Sequence, residues 1–303
     1  MRKVILLITL SVFTISCEEG RNKKKELTIE PPSKPEIIVN KIKKEADTSN
    51  MIFFNGGTIT IGSDKGAPNE GPVFEQKVAP FYLDKNLVSV ADFRKFIQAT
   101  NYKTEADNFG NSGVFIFETG QWTLLNGANW EYPLGRTEPQ SIDNHPVTHV
   151  SWNDAKAYAN WVNKRLPTEF EWEFSAKNGG NSTYPWGESV LLNGAYMANV
   201  WQGTSVKENE ALDGFLLTSP IGIFGETAAG LTDMAGNVWQ WCENSYASYP
   251  GNSIIEPSLP NVKSTRGGSF MFDQALEKSF TTTFRSKNST DTSLFNTGFR
   301  CAK

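Results

Sequence analysis

The side chains of this chain best suited to covalent or redox chemistry are few. There are three cysteines, Cys17, Cys242 and Cys301, and two histidines, His145 and His149. Two imidazoles exclude any metal site that needs three, and Pro146 between them disfavours a helix that would bring both onto one face. Three cysteines, one of them close to the N-terminus, exclude a disulfide scaffold. There is no Gly-rich phosphate loop and no Gly-x-Ser-x-Gly elbow, and no Ser/His/Asp arrangement can be read from the sequence alone. The abundant reactive atom is oxygen. Beyond Gly180 the chain is dense in Gly, Asn, Asp and aromatic residues with only short apolar stretches. Long loops of that kind must satisfy their backbone groups, and bound cations can do so for carbonyl oxygens.

The elements that would hold such loops are legible. Phe53 to Gly62 reads as a strand, a turn and an alternating strand. Ser89 caps a helix with Asp92 at its third position and an apolar side of Val90, Phe93, Phe96 and Ile97. A second helix starts at Ser151, with Asp154 at its third position and Ala155, Tyr158, Ala159 and Val162 on one face. A third begins at Thr168, where Glu171 closes a capping box, and Asn178-Gly179-Gly180 stops it. These elements predict one α+β domain over 51–303, with few helices and much irregular structure.

What precedes that domain reads as targeting and tether. Met1-Arg2-Lys3 is a short positive region, and the apolar run Val4 to Ile15 is too short to cross a bilayer of roughly 30 Å as a helix. Thr14-Ile15-Ser16-Cys17 resembles the lipobox of bacterial lipoproteins, with Thr14 in place of the usual Leu. That resemblance implies a signal peptide over 1–16, cleavage before Cys17 and acylation of its thiol; an ordinary secretory signal is the other reading. Residues 17–50, with Lys23-Lys24-Lys25, Pro31-Pro32 and Pro35, read as a linker that spans roughly 30 Å as a flexible coil. The expected location is the cell envelope, most simply the outer membrane, with attachment through lipid.

Composition agrees with a loop-rich globular domain. The chain has 303 residues, 20% charged and 12% aromatic, with 25 Gly and 15 Pro. Those proportions are wrong for a disordered chain or a coiled coil. The net charge of −4, or −6 once Arg2 and Lys3 are removed, argues against a nucleic-acid partner.

Several motifs in series then point to a family. They are His145-Pro146-Val147-Thr148-His149-Val150-Ser151-Trp152-Asn153-Asp154-Ala155, Lys164-Arg165-Leu166-Pro167-Thr168-Glu169-Phe170-Glu171-Trp172-Glu173 and Tyr184-Pro185-Trp186-Gly187. Asn199-Val200-Trp201-Gln202-Gly203, Asp213-Gly214-Phe215 and Gly230 to Trp241 follow, then Arg266-Gly267-Gly268-Ser269-Phe270 and Gly298-Phe299-Arg300-Cys301. In this order they resemble the formylglycine-generating enzyme, or sulfatase-modifying factor, family across nearly all of 51–303. The resemblance implies a C-type-lectin-like α+β fold. It also implies two calcium sites that pin loops, and all their donors are oxygens, as a hard cation requires. The first is Asn199 and Asp213 by side chain with the carbonyls of Val200 and Phe215. The second is Asp233, the carbonyls of Gly236 and Val238, and Gln240, where the family usually has Glu. Turn formation alone is the competing reading of these Asn, Asp and Gly residues.

The family's reaction is copper-dependent oxidation of a sulfatase cysteine by O₂, carried by two thiolates that suit soft Cu(I). Counted from Ser269 and from Arg285, the positions of that pair are Phe272 and Glu277. Neither supplies sulfur, so copper is not expected. Ser269 and Trp239, which line the enzyme's active region by resemblance, are retained as a candidate pocket. His145 and His149 read as structural, and a Cys242–Cys301 disulfide is conceivable in an exported protein.

Two functions compete. One is a non-catalytic envelope lipoprotein, resembling gliding-motility and secretion-associated lipoproteins of Bacteroidetes-type bacteria, that binds a protein or glycan partner. Phe115, Phe117, Trp122, Trp130 and Tyr132 would supply its aromatic surface. The alternative is a sulfatase-maturation enzyme with an altered site, serving the breakdown of sulfated polysaccharides.

Overall fold

Helix starts in this protein are set by side chains that replace missing intrahelical partners. In the computed structural model, which describes residues 45–203, 205, 207–271 and 279–303, Ser89 accepts the amide of Asp92 and starts α1 (Val90–Thr100). Ser151 with Asp154, and Thr168 with Glu171, form reciprocal capping boxes at α3 (Trp152–Trp161) and α4 (Glu169–Lys177). Asn178 ends α4 in the left-handed conformation, at φ 46°. A further one-turn helix, α2 (Glu105–Phe109), lies between α1 and α3; its box is Thr104 with Asp107, and Gly110 closes it. Three of the expected helices are therefore joined by one that the apolar pattern is too short to signal.

The strands are short. β1 (Met51–Phe54) pairs with β4 (Phe81–Asp84), and β2 (Gly57–Ile61) with β3 (Phe74–Val78), all antiparallel. The two strands read from Phe53 to Gly62 are thus present, but each takes a later partner rather than the other. β5 (Asn111–Ile116) and β6 (Gln121–Asn126) form a hairpin, and β7 (Leu191–Leu192) with β8 (Ala195–Tyr196) a minimal one. The largest sheet comes from the irregular-looking C-terminal part. Its order is β11 (Arg285–Ser289), β10 (Val262–Arg266), β9 (Trp239–Ser245), β12 (Thr297–Gly298), with β12 parallel to β9. Much of 129–150 and 178–238 is turn and loop.

Two main apolar clusters support this arrangement. Phe93 and Phe96 of α1 meet Tyr158 and Ala159 of α3, with Trp241, Phe299 and Cys301 beneath. Phe93 alone, fully buried, contributes about 1.5–3 kcal/mol by area. The second cluster sets Trp172 and Ala176 of α4 against Ile59, Ile61, Phe81 and Leu83, with Cys242. Between α4 and β10–β11 lies a buried ionic layer: Arg266 bridges Glu169 (3.0 Å) and Glu173 (2.5 Å), Arg285 grips Glu169 through Nε and Nη2, each at 2.7 Å, and Lys177 reaches Glu173 at 2.8 Å. Burial opposes the charge on Glu169, yet Arg285 and Arg266 hold its carboxyl below the usual range. This layer fixes the end of β10, from which the candidate site departs.

Candidate functional site

From Arg266 the chain turns through Gly267 and Gly268, both in the left-handed region at φ 93° and 69°. A Cβ on Gly268 would stand 2.7 Å from the Ser279 carbonyl, so only glycine fits. The turn buries Ser269 completely. Its Oγ accepts from Asn296 Nδ2 at 3.1 Å and from the Met271 amide at 3.3 Å. Asn296, absent from the residues singled out by sequence, is thus the partner that orients Ser269; nothing in its local pattern sets it apart from the other turn-forming Asn residues. Trp239 is buried as well, its ring 5.8 Å from that of Phe284. Phe272 and Glu277 lie outside the described residues, as does Cys17.

The other two cysteines are free thiols, so the conceivable disulfide is not formed. Cys301 sits in the α1–α3 cluster and Cys242 in the α4 cluster. Both are fully buried, and burial pushes both thiols well above their ordinary range. Neither supplies a thiolate at neutral pH, the form that binds Cu(I) or attacks an electrophile.

The two oxygen-rich sets lie beside each other and share a hub. Asn237, fully buried at φ 58°, accepts from Asn199 Nδ2 (3.3 Å) and the Ser219 amide (3.0 Å), and donates to Asp233 Oδ1 (3.2 Å). In the first set, Asp213 accepts the amides of Val200 (2.8 Å) and Phe215 (2.9 Å), closing the 199–215 loop on itself. Burial raises the Asp213 carboxyl despite those bonds. Asn199 spends its amide nitrogen on Leu217 O at 2.7 Å and on Asn237. Its Oδ1 is buried without a hydrogen-bond partner among the described residues. A buried oxygen without a partner is an acceptor that a hard cation satisfies. This set offers calcium oxygen atoms only, Asn199 Oδ1 among them without a partner, while Gln202 Nε2 donates to the Val200 carbonyl.

The second set is different. Asp233 accepts from the Gly222 amide (2.8 Å) and Asn237. Gln240 is fully buried; its Oε1 accepts from Trp172 Nε1 (2.9 Å) and Arg300 Nε (2.8 Å), while its Nε2 donates to the Asp233 carbonyl at 2.9 Å. Its one side-chain oxygen is already shared by two donors, so this set does not fit calcium as it stands.

The histidines are apart from both sets. His145 Nδ1 lies 3.0 Å from Thr218 Oγ1, and burial lowers its pKa. His149 is fully buried at φ 56°, with Nδ1 2.7 Å from Ser112 Oγ, and burial pushes its pKa down to about 3. Each is a neutral hydrogen-bonding group at physiological pH. No group of three or more His, Cys, Asp or Glu able to hold a metal occurs among the described residues. Of the five aromatics expected to form a surface, Trp130 is buried against Phe93, at 5.6 Å between ring centroids. Phe115, Phe117 and Tyr132 are partly covered. Trp122 is 48% exposed, its ring edge-on to Phe115 and Phe295. Phe115 and Phe117 pack against the cluster of Val114, Phe270 and Phe295, so part of the aromatic run is spent on covering one face of the hairpin.

Comparison with known proteins agrees with this architecture. Residues 38–303 match the sulfatase-modifying factor enzyme 1-like domain. The chain is 36% identical over 280 residues to the formylglycine-generating enzyme of Streptomyces coelicolor, covering 84% of this chain and 89% of that protein. It is 37% identical over 283 residues to the formylglycine-generating enzyme of Mus musculus, covering 84% and 75%. To the Bos taurus protein named inactive C-alpha-formylglycine-generating enzyme 2 it is 37% identical over 278 residues, covering 84% and 88%. Among solved structures, PvdO from Pseudomonas aeruginosa superposes with a TM-score of 0.62 at 24% identity, covering 83% of this chain and 93% of that one. This likeness shows the fold.

Proposed function

The chain belongs to the sulfatase-modifying factor enzyme 1-like family, and from that premise we propose that it is a non-catalytic member, a lipid-anchored envelope protein whose domain binds or assembles with a protein or glycan partner. One observation carries the reading: at the positions that correspond by resemblance to the family's two thiolates, counted from Ser269 and Arg285, the chain has Phe272 and Glu277, and the remaining domain cysteines are buried. Without that thiolate pair the site lacks the ligands by which the family is expected to hold Cu(I). Relatives named as enzymes and one named as inactive stand at the same identity, so overall similarity does not decide between them. The Ser269–Asn296 pair favours the alternative, an enzyme with an altered site, but a hydrogen-bonded pair without a redox centre has no route to oxidise a thiol.

In this reading the first oxygen set holds calcium. Asn199, Asp213 and the carbonyls of Val200 and Phe215 would bind it, and the ion would supply the positive charge that pins the 199–215 loop. Attachment to the envelope goes through Cys17, expected to be acylated after removal of 1–16. The test uses the full chain with Cu(I), O₂ and a cysteine-containing sulfatase peptide, read by mass spectrometry. No product is expected; formylglycine would overturn the reading in favour of the enzyme. In parallel, Cys17→Ser should move the protein from the membrane to the soluble fraction, and retention in the membrane would refute the lipid anchor.

A further inference from the structure

The family resemblance implies two calcium sites, yet the second set of residues is closed by its own hydrogen bonds. Arg300 is fully buried and has all five N–H groups engaged. Nη1 donates to the carbonyls of Asp84 (3.1 Å) and Lys85 (3.0 Å), Nη2 to those of Thr232 (2.7 Å) and Asp233 (3.0 Å), and Nε to Gln240 Oε1 (2.8 Å). This guanidinium collects carbonyls from two segments distant in sequence.

The orientation of the Gln240 amide follows from chemistry. Trp172 Nε1 and Arg300 Nε can only donate, so the atom they share must be the oxygen, and the nitrogen must face the Asp233 carbonyl. That carbonyl therefore already takes two donors, Gln240 Nε2 and Arg300 Nη2. There is no slack for Gln240 to turn. A Cβ built on Gly267 would lie 3.0 Å from Gln240 Nε2 and 3.1 Å from Trp172 Cζ2, which shows how closely backbone and rings enclose the amide. A divalent ion placed here would meet an N–H where it needs an oxygen.

We propose that Gln240 closes the second site to metal, so that this chain binds at most one calcium ion, and that its side-chain nitrogen, which donates to the Asp233 carbonyl, is the one atom that excludes the second. The stoichiometry of one rests on the proposed calcium reading of the Asn199–Asp213 set; the closure of the second set does not. Gln240→Glu is close to isosteric and leaves the acceptor of Trp172 and Arg300 in place. It puts an oxygen where the nitrogen now donates to the Asp233 carbonyl. Two oxygens at that separation repel, and a cation bound by both relieves the repulsion, with Ca–O distances of about 2.3–2.6 Å.

The experiment measures calcium per chain by atomic emission on the full protein, stripped with EDTA, refilled with CaCl₂ and freed of excess ion. Near-UV circular dichroism checks the fold of each variant. Wild type is expected to hold one equivalent, Asn199→Ala none and Gln240→Glu two. Two equivalents in wild type would overturn the proposal, as would a single one that survives Asn199→Ala, because it would occupy the second set. A folded Gln240→Glu that gains no calcium over wild type overturns it too. If wild type holds none, the first-site reading fails, while one equivalent gained by Gln240→Glu still upholds the closure. Should Gln240→Glu not fold, the wild-type and Asn199→Ala counts decide by themselves.

Discussion

Replacing Glu169 by Gln should cost this protein a large part of its stability, although the two side chains have the same shape. The Glu169 carboxylate is buried and accepts from Arg266 Nη1 (3.0 Å), Arg285 Nε and Nη2 (both 2.7 Å) and Ser264 Oγ (2.9 Å). In the variant three buried cations, Arg266, Arg285 and Lys177, would be left with Glu173 as their carboxylate in this layer. Breaking a buried pair in this way costs about 3–5 kcal/mol, because the charge left behind has no water to solvate it. Set against a total of about 5–15 kcal/mol for a domain, the loss is visible without unfolding the protein outright. The assay is urea unfolding followed by tryptophan fluorescence, with Glu118→Gln on the exposed hairpin turn as a control expected to change stability by under about 0.5 kcal/mol. The pH dependence gives a second reading. Because Glu169 is held below its unfolded value, its contribution is fully present above that unfolded value, about pH 4.3, and is lost as pH falls through the lower, folded one. That acid limb should disappear from Glu169→Gln. A loss below about 1 kcal/mol, or an unchanged acid limb, would refute the view that the layer acts as paired charge.

Two further outcomes follow from burial and from the first oxygen set. Cys242 and Cys301 should resist thiol reagents in the native protein and both react after unfolding; native labelling of either at the rate of an exposed thiol, read by peptide mass mapping, would contradict their placement. Calcium at about one hundred times its Kd should stabilise the native state by about 2.7 kcal/mol over the EDTA-treated protein, and Asn199→Ala should abolish that difference; thermal unfolding with and without the ion decides it.

The legible and illegible parts of this chain divide along physical lines. Helix starts were readable because the cap and its third-position partner are local: Ser89, Ser151 and Thr168 each satisfy an amide three residues on. The apolar faces were readable from period alone. Strand pairing was not, because β1 and β2 choose β4 and β3 through contacts that lie outside the window of any pattern. The same holds for the ionic layer, whose members Glu169, Arg266 and Arg285 are scattered over more than a hundred residues and look, one by one, like surface charges. Asn199 was singled out by resemblance, but its orphaned oxygen, and the Asn237 hub beside it, appear only when loops from 199, 219 and 233 meet. Gln240 shows the limit most clearly. In sequence it is one neutral residue where an acid is usual; in the fold it is an amide held between an indole, a guanidinium and a carbonyl.

On the proposed reading, that separation explains how this fold persists without the family's thiolates. The groups that hold the architecture are the capping boxes, the two aromatic clusters, the Glu169–Arg266–Arg285 layer and the Arg300 fan of carbonyl bonds. The ionic layer and the Arg300 fan are built from nitrogen and oxygen atoms alone, and altering Glu169 or Arg300 strips partners from several elements at once. A site carried by a fold can be lost while the fold persists. The expected contrast is direct: Glu118→Gln should leave unfolding close to wild type, while Glu169→Gln should not.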